Sequence, residues 1–470
     1  MKARLKYAFL FMFVSALSMA QELPTLRISF PGKSLKDEYV QGEMRLEEPD
    51  GMIVELPAKF KTRGATAKHY SAKPSFNMKL RDTDGTEIDS TLLGLRCCSS
   101  YILDAMAIDR ICMRNRVSFD IWNAFSPLPY YTEFDSRNGT VGKFVEVYIN
   151  DTYKGIYCLT DRINRKLLDL KKPQVAEDGN VTIRGVQYKH GTTDYGDQNT
   201  PGLFNDTMVC VARYHDAWEL KEPEDYPCLA AWQPLLDYYK DDNYNNYNYI
   251  STHFYTENLL DYTLFILTLS IGDNWGNKNQ IFSIRNIQAD GNKARFIISP
   301  WDLDTALGGN YNGKYYNGEY TNWTPKEIIS AATRPFSTCL KQAAFKEDLK
   351  KRWIETRNGV FAVDSVAQRL YDYCELFVNS GAWERQASVQ PCYVPDLRKE
   401  IRFIVAWYKD RFQKIDEYFG VTDEEVAVQA VPETPTLEEN TMYNLQGIIV
   451  NAPTSGNGIY VTKGKKWIVK

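Results

Sequence analysis

An α+β fold is expected from the sequence, with a small β-rich lobe ahead of a larger, mostly helical lobe and a short β tail at the end. Three observations predict it. Apolar and polar residues alternate from Leu23 to about Asp89, as strands with one buried face require. Beyond Ser99 the period lengthens to that of a helix, and Tyr255–Ile271, "YTENLLDYTLFILTLSI", is apolar enough all round to be a buried spine. A Pro-, Glu- and Thr-rich stretch, "VQAVPETPTLEEN", then precedes two short β runs.

The chain begins "MKARLKYAFLFMFVSALSMAQELP", with Lys2, Arg4 and Lys6 ahead of an apolar run from Tyr7 to Leu17. Ser18 and Ala20 supply the small residues of a cleavage site, so residues 1–20 read as an export signal peptide. The expected destination is the periplasm, the cell surface or the medium. That run falls short of the roughly 20 apolar residues a membrane span needs, and no later segment approaches it, so no stable membrane insertion is expected.

Residues 21–95 read as the β-rich lobe, built from "TLRISF", "YVQGEMRLEE", "MIVELPAKFKTRG" and "SFNMKLRD". Its last two strands bracket the cationic loop "RGATAKHYSAKP". Residues 96–420 read as the mostly helical lobe. Across Ser99–Phe125, Ile108, Ile111, Cys112, Val117, Ile121 and Trp122 are spaced for one helical face. "KFVEVYINDTYKGIYCLTDRI" reads as a hairpin turning at Asn150-Asp151, followed by a short helix, "NRKLLDLKK". The polar, Gly- and Asp-rich stretch near 174–250 is expected to be an irregular insertion with little core, ending in an Asn/Tyr tract ahead of a helix. A second hairpin joins "NQIFSIRNI" to "ARFIISPWDLD", and helical patterns fill Lys326–Phe419. Residues 421–440 read as a linker and 441–470 as a β-hairpin tail.

Composition excludes several functions. A net charge of −4, with dispersed Lys and Arg, leaves no surface for a polyanion, so nucleic acid is not an expected partner. Nine cysteines without a C-x-x-C pair, and four histidines in all, argue against a zinc knuckle or a histidine-based hydrolase. Cys210 and Cys228 flank a loop-like segment and are candidates for joining, whereas Cys112 and Cys158 sit in apolar contexts that suit buried thiols.

The chemistry concentrates at "RFIISPWDLDTALGG", where an apolar strand runs into Asp302 and Asp304 and then a glycine pair. Upstream, "SIGDNWGNKNQIFSI" puts Asp273 at the end of the apolar helix and Asn279 at the start of the next strand. Asp273, Asn279 and Asp302 thus stand at the mouth of one hairpin. Carboxylates and an amide at a strand exit suit a hard divalent ion. With one carboxylate left for an attacking hydroxyl, they also suit phosphoryl transfer. A lone D-x-D occurs in turns and in metal-dependent glycosyltransferases too, but no doubly wound pattern precedes this one. Cations for phosphate come from the β lobe, where Arg63, Lys73 and Lys79 cluster on one loop and its exit strand. Arg114 and Asn115 read as core braces, with Asp161 or Glu146 as the partner a buried arginine needs.

Taken together, "FKTRGATAKHYSAKPSFNMKL", "DRICMRNRVSFDIW", "VEVYINDTYKGIYCLTDRINRKLL", "DNWGNKNQIFSI" and "PWDLDTALGG" resemble the spore coat protein H (CotH) kinase-like family, in the variant found among secreted Bacteroidetes proteins. The resemblance implies an atypical protein-kinase-like two-lobed fold that binds ATP with Mg²⁺ or Mn²⁺ and phosphorylates serine or threonine of a protein substrate. Carried over position by position, it implies Asp273 as the catalytic aspartate and Asp302, with Asn279 and Asp304, at the metal. Lys73 is implied as the nucleotide-contacting lysine and Arg63-Gly64 as the glycine loop, with Lys79 and Asp161 beside the nucleotide. Two positions depart from the family pattern, Asp161 where glutamate is usual and Pro74 where a second lysine is usual. A non-catalytic surface or adhesion protein that keeps the fold is the competing reading.

Overall fold

A computed structural model describes residues 22–32, 38–64, 73–126, 137–190, 202–205, 208–211, 216–240, 243, 246–274, 280–285, 287, 294–310, 324–330, 335–422, 425, 442–444, 449–450, 458–462 and 465–469. The expected signal peptide lies outside them, as does most of the expected linker. The chain divides into two compact units, Met1–Gly420 and Val421–Lys470. Among the described residues no helix is long and apolar enough to cross a membrane.

Seven strands close a barrel in the first unit, in the order β1-β2-β3-β4-β5-β7-β6. They are β1 (Thr25–Ser29), β2 (Val40–Glu47), β3 (Ile53–Arg63), β4 (Ser75–Leu80), β5 (Ser100–Asp104), β6 (Gly142–Ile149) and β7 (Thr152–Thr160). All neighbours are antiparallel except β1 and β6, which pair in parallel from Thr25 opposite Glu146. Closure leaves no sheet edge exposed. Inward residues, among them Leu26, Met44, Leu46, Phe60, Met78, Tyr101, Val145 and Tyr157, fill the interior. The alternation that predicted the first four strands is this inward and outward alternation.

The sheet runs well past residue 95. Ser100–Asp104, expected to be helical, is a strand because its central three residues are buried and its backbone pairs with β4 on one side and β7 on the other. Only Arg114–Phe125 of that stretch is helix. Its first turn is capped by Asp109, whose Oδ2 accepts from the N–H groups of Met113 and Arg114, each at 2.8 Å. The Asn150-Asp151 turn is as expected: both residues have positive φ, 46° and 61°, which this two-residue turn requires. "NRKLLDLKK" is not a helix but a run of bends and turns.

A six-stranded sheet follows, in the order β11-β12-β13-β10-β14-β15. It comprises β10 (Val186–His190), β11 (Gly202–Asn205), β12 (Met208–Val211), β13 (Asp216–Glu222), β14 (Gln280–Ile284) and β15 (Ile297–Pro300). A two-residue pair, β8 (Gln174–Val175) with β9 (Val181–Thr182), precedes it. The stretch expected to lack a core therefore supplies four strands to the sheet that carries the second hairpin. Val186, Tyr188, Trp218 and Leu220 are buried there. The segment hid because its strands are short and interrupted by polar residues.

The apolar spine is a helix over Thr256–Leu269, buried on almost every face. Asn258 on this helix latches the free edge of β15: its Oδ1 accepts from Ile298 N–H at 2.6 Å and its Nδ2 donates to Ile298 O at 3.1 Å. The spine ends at Ser270 in a left-handed cap with φ 55°. Arg411, buried on the long helix Leu397–Phe419, donates from Nε to Leu267 O at 3.0 Å near that end. The helix Tyr247–His253 begins inside the Asn/Tyr tract, with Asn246 accepting from Asn248 N–H as its cap.

The second unit holds a four-stranded antiparallel sheet rather than a lone hairpin, in the order β17-β16-β18-β19. Its strands are β16 (Met442–Asn444), β17 (Ile449–Val450), β18 (Gly458–Thr462) and β19 (Lys465–Val469).

Candidate active site

At the end of β15 the chain passes through Trp301, Asp302, Leu303 and Asp304 and turns back. Leu303, Ala306 and Leu307 are fully buried, so the loop is pinned from below. Leu307 N–H donates to Leu269 O of the spine at 2.9 Å, and Leu303 N–H donates to Asn115 Oδ1 at 3.2 Å. Asp302, by contrast, is exposed and stands in the left-handed region with φ 60°, a conformation aspartate tolerates in tight turns.

Just after the spine, Asn274 is buried and fixes the opposite wall. Its Nδ2 donates to Trp301 O at 2.6 Å, while its own carbonyl accepts from Tyr262 OH at 3.0 Å and Gln280 Nε2 at 3.1 Å. Asp273 and Asp302 each stand one residue from this Asn274–Trp301 hydrogen bond, which brings the spine exit and the strand exit to one place. For Asp273 the structure describes the backbone, within Gly272–Asn274, and not the side chain. Asn279 lies outside the described residues.

Asn115 ties the site to the barrel. Its Nδ2 donates to Asp104 Oδ2 at 2.8 Å at the end of β5, so Asp104, Asn115 and Leu303 form one chain of contacts. Neither Asp104 nor Asn115 stood out in the sequence as a site residue, because a strand-end aspartate and a helical asparagine give no pattern.

Two cations approach the loop. Arg63, at the end of β3, places its guanidinium carbon 5.3 Å from the centre of the Trp301 ring. Lys189, on β10, places its Nζ 4.8 Å from the same centre. Burial holds Arg63 below its ordinary value, with Asp104 and Asp302 opposing and Arg162 reinforcing the shift. Burial also pushes Lys189 down to about 8; Lys221 and Arg63 add to that, and Asp302 and Glu219 oppose it. Gly64 follows Arg63, exposed, with φ 98°.

Of the remaining sequence candidates, Asp304 shares the loop and the others stand elsewhere. Lys73 is 2% exposed, and its ammonium donates to Ile156 O at 2.7 Å, Gln390 Oε1 at 3.1 Å and Gln386 Oε1 at 3.4 Å. Burial pushes it down to about 8. An ammonium has three protons to donate, and here protein acceptors engage all of them. Lys79 points outward from β4, 5.2 Å from the centre of the Tyr39 ring. Asp161 is fully buried and accepts from Val141 N–H at 2.8 Å; burial raises its carboxyl, with Val141, Arg96, Arg116 and Arg137 opposing. Its place is at the foot of β7, as a structural group. Arg114 pairs with Asp109 rather than Asp161 or Glu146, and Glu146 is held by Arg385 from the short helix Ala382–Gln386. Asp304 follows Asp302 on the loop and is half-buried. Cys228 carries a free thiol, so it is not joined to Cys210; Cys112 and Cys158 are free and buried.

Residues 60–415 match the CotH kinase protein family, and the chain belongs to that family. The match begins in β3 and ends within the Leu397–Phe419 helix, so it spans Arg63, Lys189 and the whole Asp302 loop. No curated protein matches the chain.

The family implies a nucleotide and a divalent ion, and the residues present fit both. Among the described residues no three acidic, cysteine or histidine side chains gather around one point. A self-sufficient protein cage for a metal is thus absent there. Magnesium carried by a nucleotide needs only one or two protein carboxylates, because phosphate oxygens complete its shell. Asp302 is an exposed carboxylate of that kind, and the two cations lie against the ring of its neighbour Trp301.

Proposed function

We propose that the chain is an atypical protein kinase that transfers the γ-phosphoryl group of ATP to a serine or threonine hydroxyl of a protein substrate, with the catalytic groups at the junction of the spine helix and β15. The observation that supports this is the Asn274–Trp301 hydrogen bond at 2.6 Å, whose two residues are the chain neighbours of Asp273 and Asp302. Asp302, helped by Asp304, would hold the divalent ion, and Asp273 would face the attacking hydroxyl. The ion, when bound, neutralises charge on the phosphoryl oxygens. The substrate hydroxyl oxygen bonds to the γ-phosphorus, the bond to the β–γ bridging oxygen breaks to release ADP, and Asp273 accepts the hydroxyl proton.

Support for positioning comes from the same contacts. Asn115 holds the backbone at Leu303, and the buried Leu303 and Leu307 keep the Asp302 turn from collapsing. Export through residues 1–20 and a site of action in the periplasm, on the surface or in the medium belong to this reading, as does Bacteroidetes origin. ATP would then have to reach the enzyme during export or outside the cell.

The test is transfer of labelled γ-phosphate from ATP to a generic protein acceptor in the presence of Mg²⁺ or Mn²⁺. Asp302→Asn and Asp273→Asn are each expected to lower the rate about a hundredfold or more while the melting temperature holds. Unchanged transfer in both variants would remove the assignment. No transfer and no nucleotide binding by the wild type would leave a non-catalytic member of the family.

A further inference from the structure

The lysine that the sequence offers for the nucleotide is saturated by protein acceptors, which leaves the question of what grips the phosphates. Lys189 and Arg63 are the half-buried cations at the Asp302 loop, both set against one indole ring. Neither makes a hydrogen bond or ion pair among the described residues. Of the carboxylates near them, Glu219, cross-strand from Lys189, pairs with Lys221, and Asp104 accepts from Asn115 and from Met106 N–H, while Asp302 acts on both cations without a hydrogen bond to either. Half-buried cations that make no direct hydrogen bond are costly, and the cost is recovered when an anion arrives. An indole against both cations keeps them partly dry, which strengthens their pull on a phosphate.

We propose that Lys189 and Arg63, both set against Trp301, form a two-cation grip for the phosphoryl oxygens of the nucleotide, with Lys189 in the role that the family resemblance implies for Lys73. The inference rests on the kinase reading for the identity of the anion but not for the existence of the grip. Lys189 comes from the six-stranded sheet and Arg63 from the barrel, so a bound polyphosphate would bridge the two. A lysine on a short strand inside a polar stretch carries no sequence signal, which is why it escaped notice.

Calorimetric titration of Mg·ATP, Mg·ADP, adenosine and inorganic tripolyphosphate into the full chain tests it. Lys189→Met is expected to weaken Mg·ATP and tripolyphosphate by about tenfold or more, to leave adenosine unchanged, and to leave the melting temperature in place; Lys189→Arg is expected to recover most of the loss. If the wild type binds Mg·ATP and Lys189→Met binds it equally well, the grip is overturned and the kinase reading stands. If the wild type binds tripolyphosphate but no nucleotide, and Lys189→Met loses it, the grip stands and the kinase reading fails. Equal weakening of adenosine would show a general structural effect and overturn the proposal. Binding of none of the four probes by the wild type would overturn both.

Discussion

Lys73 and Lys189 show how far a lysine's environment decides its work. Both are pushed down to about 8 by burial, yet one is enclosed by carbonyl and amide oxygens and the other rests against a ring at an open loop. For Lys73 the consequence is structural. Lys73→Met removes the donor that Ile156 O, Gln386 and Gln390 share, and buried acceptors left without a partner cost about 1–3 kcal/mol. The expected result is a lower urea midpoint with little selective change in nucleotide affinity, measured by denaturation and titration side by side. The pH dependence has a definite sign. Between about 8 and the ordinary 10.5, the unfolded chain holds the Lys73 proton more tightly than the folded chain does. The stability gap between wild type and Lys73→Met should therefore widen as pH rises through that window, because the penalty of a buried charge is relieved. A gap that narrows would contradict the burial account. Residue patterns singled out Asp302 because a strand ran into a D-x-D and glycines; they could not show that Lys73 is enclosed, because only packing tells an enclosed ammonium from an available one.

Elements in this protein are shaped by what crosses between them. In β7, Gly155 has φ 97°, and a Cβ there would lie 2.3 Å from Gln386 Oε1 and 2.8 Å from Val389 Cγ2. Glycine is needed twice over, for its backbone conformation and for the close approach. This lets Gln386 accept from Ile156 N–H at 2.6 Å and seats the Ala382–Gln386 helix on the barrel. Gly155→Ala is expected to lower stability by about 1–3 kcal/mol, seen as a drop in melting temperature, with Arg385–Glu146 and Lys73 disturbed together. A melting curve that coincides with the wild type would mean the short helix is not seated as described. The hairpin at Asn150-Asp151 was legible because turn chemistry is local. β5 was not, since Tyr101, Ile102 and Leu103 are consecutive buried residues and a short apolar run can serve strand or helix alike. β10 and β13 were missed for the opposite reason: polar residues break their apolar pattern, and in β10 Gln187 and His190 are themselves buried.

At the scale of the molecule, the family match and the site both fall inside the Met1–Gly420 unit. A chain ending at Gly420 is expected to keep the melting temperature and the Mg·ATP affinity of the full chain. Loss of either would show that Val421–Lys470 contributes to the fold or the site. The α+β class was legible from periodicity, and the order of family segments pointed to the hairpin. The closed barrel was not, because closure depends on β1 meeting β6 in parallel, a long-range pairing that no local pattern records.

The most direct test of the central claim is anomalous diffraction from crystals grown with Mn²⁺ and a non-hydrolysable ATP analogue. The account predicts a manganese peak about 2 Å from an Asp302 carboxylate oxygen, with the phosphates between it and the Lys189 and Arg63 side chains. A nucleotide bound with its ion away from Asp302 would contradict it, as would no nucleotide at saturating concentration.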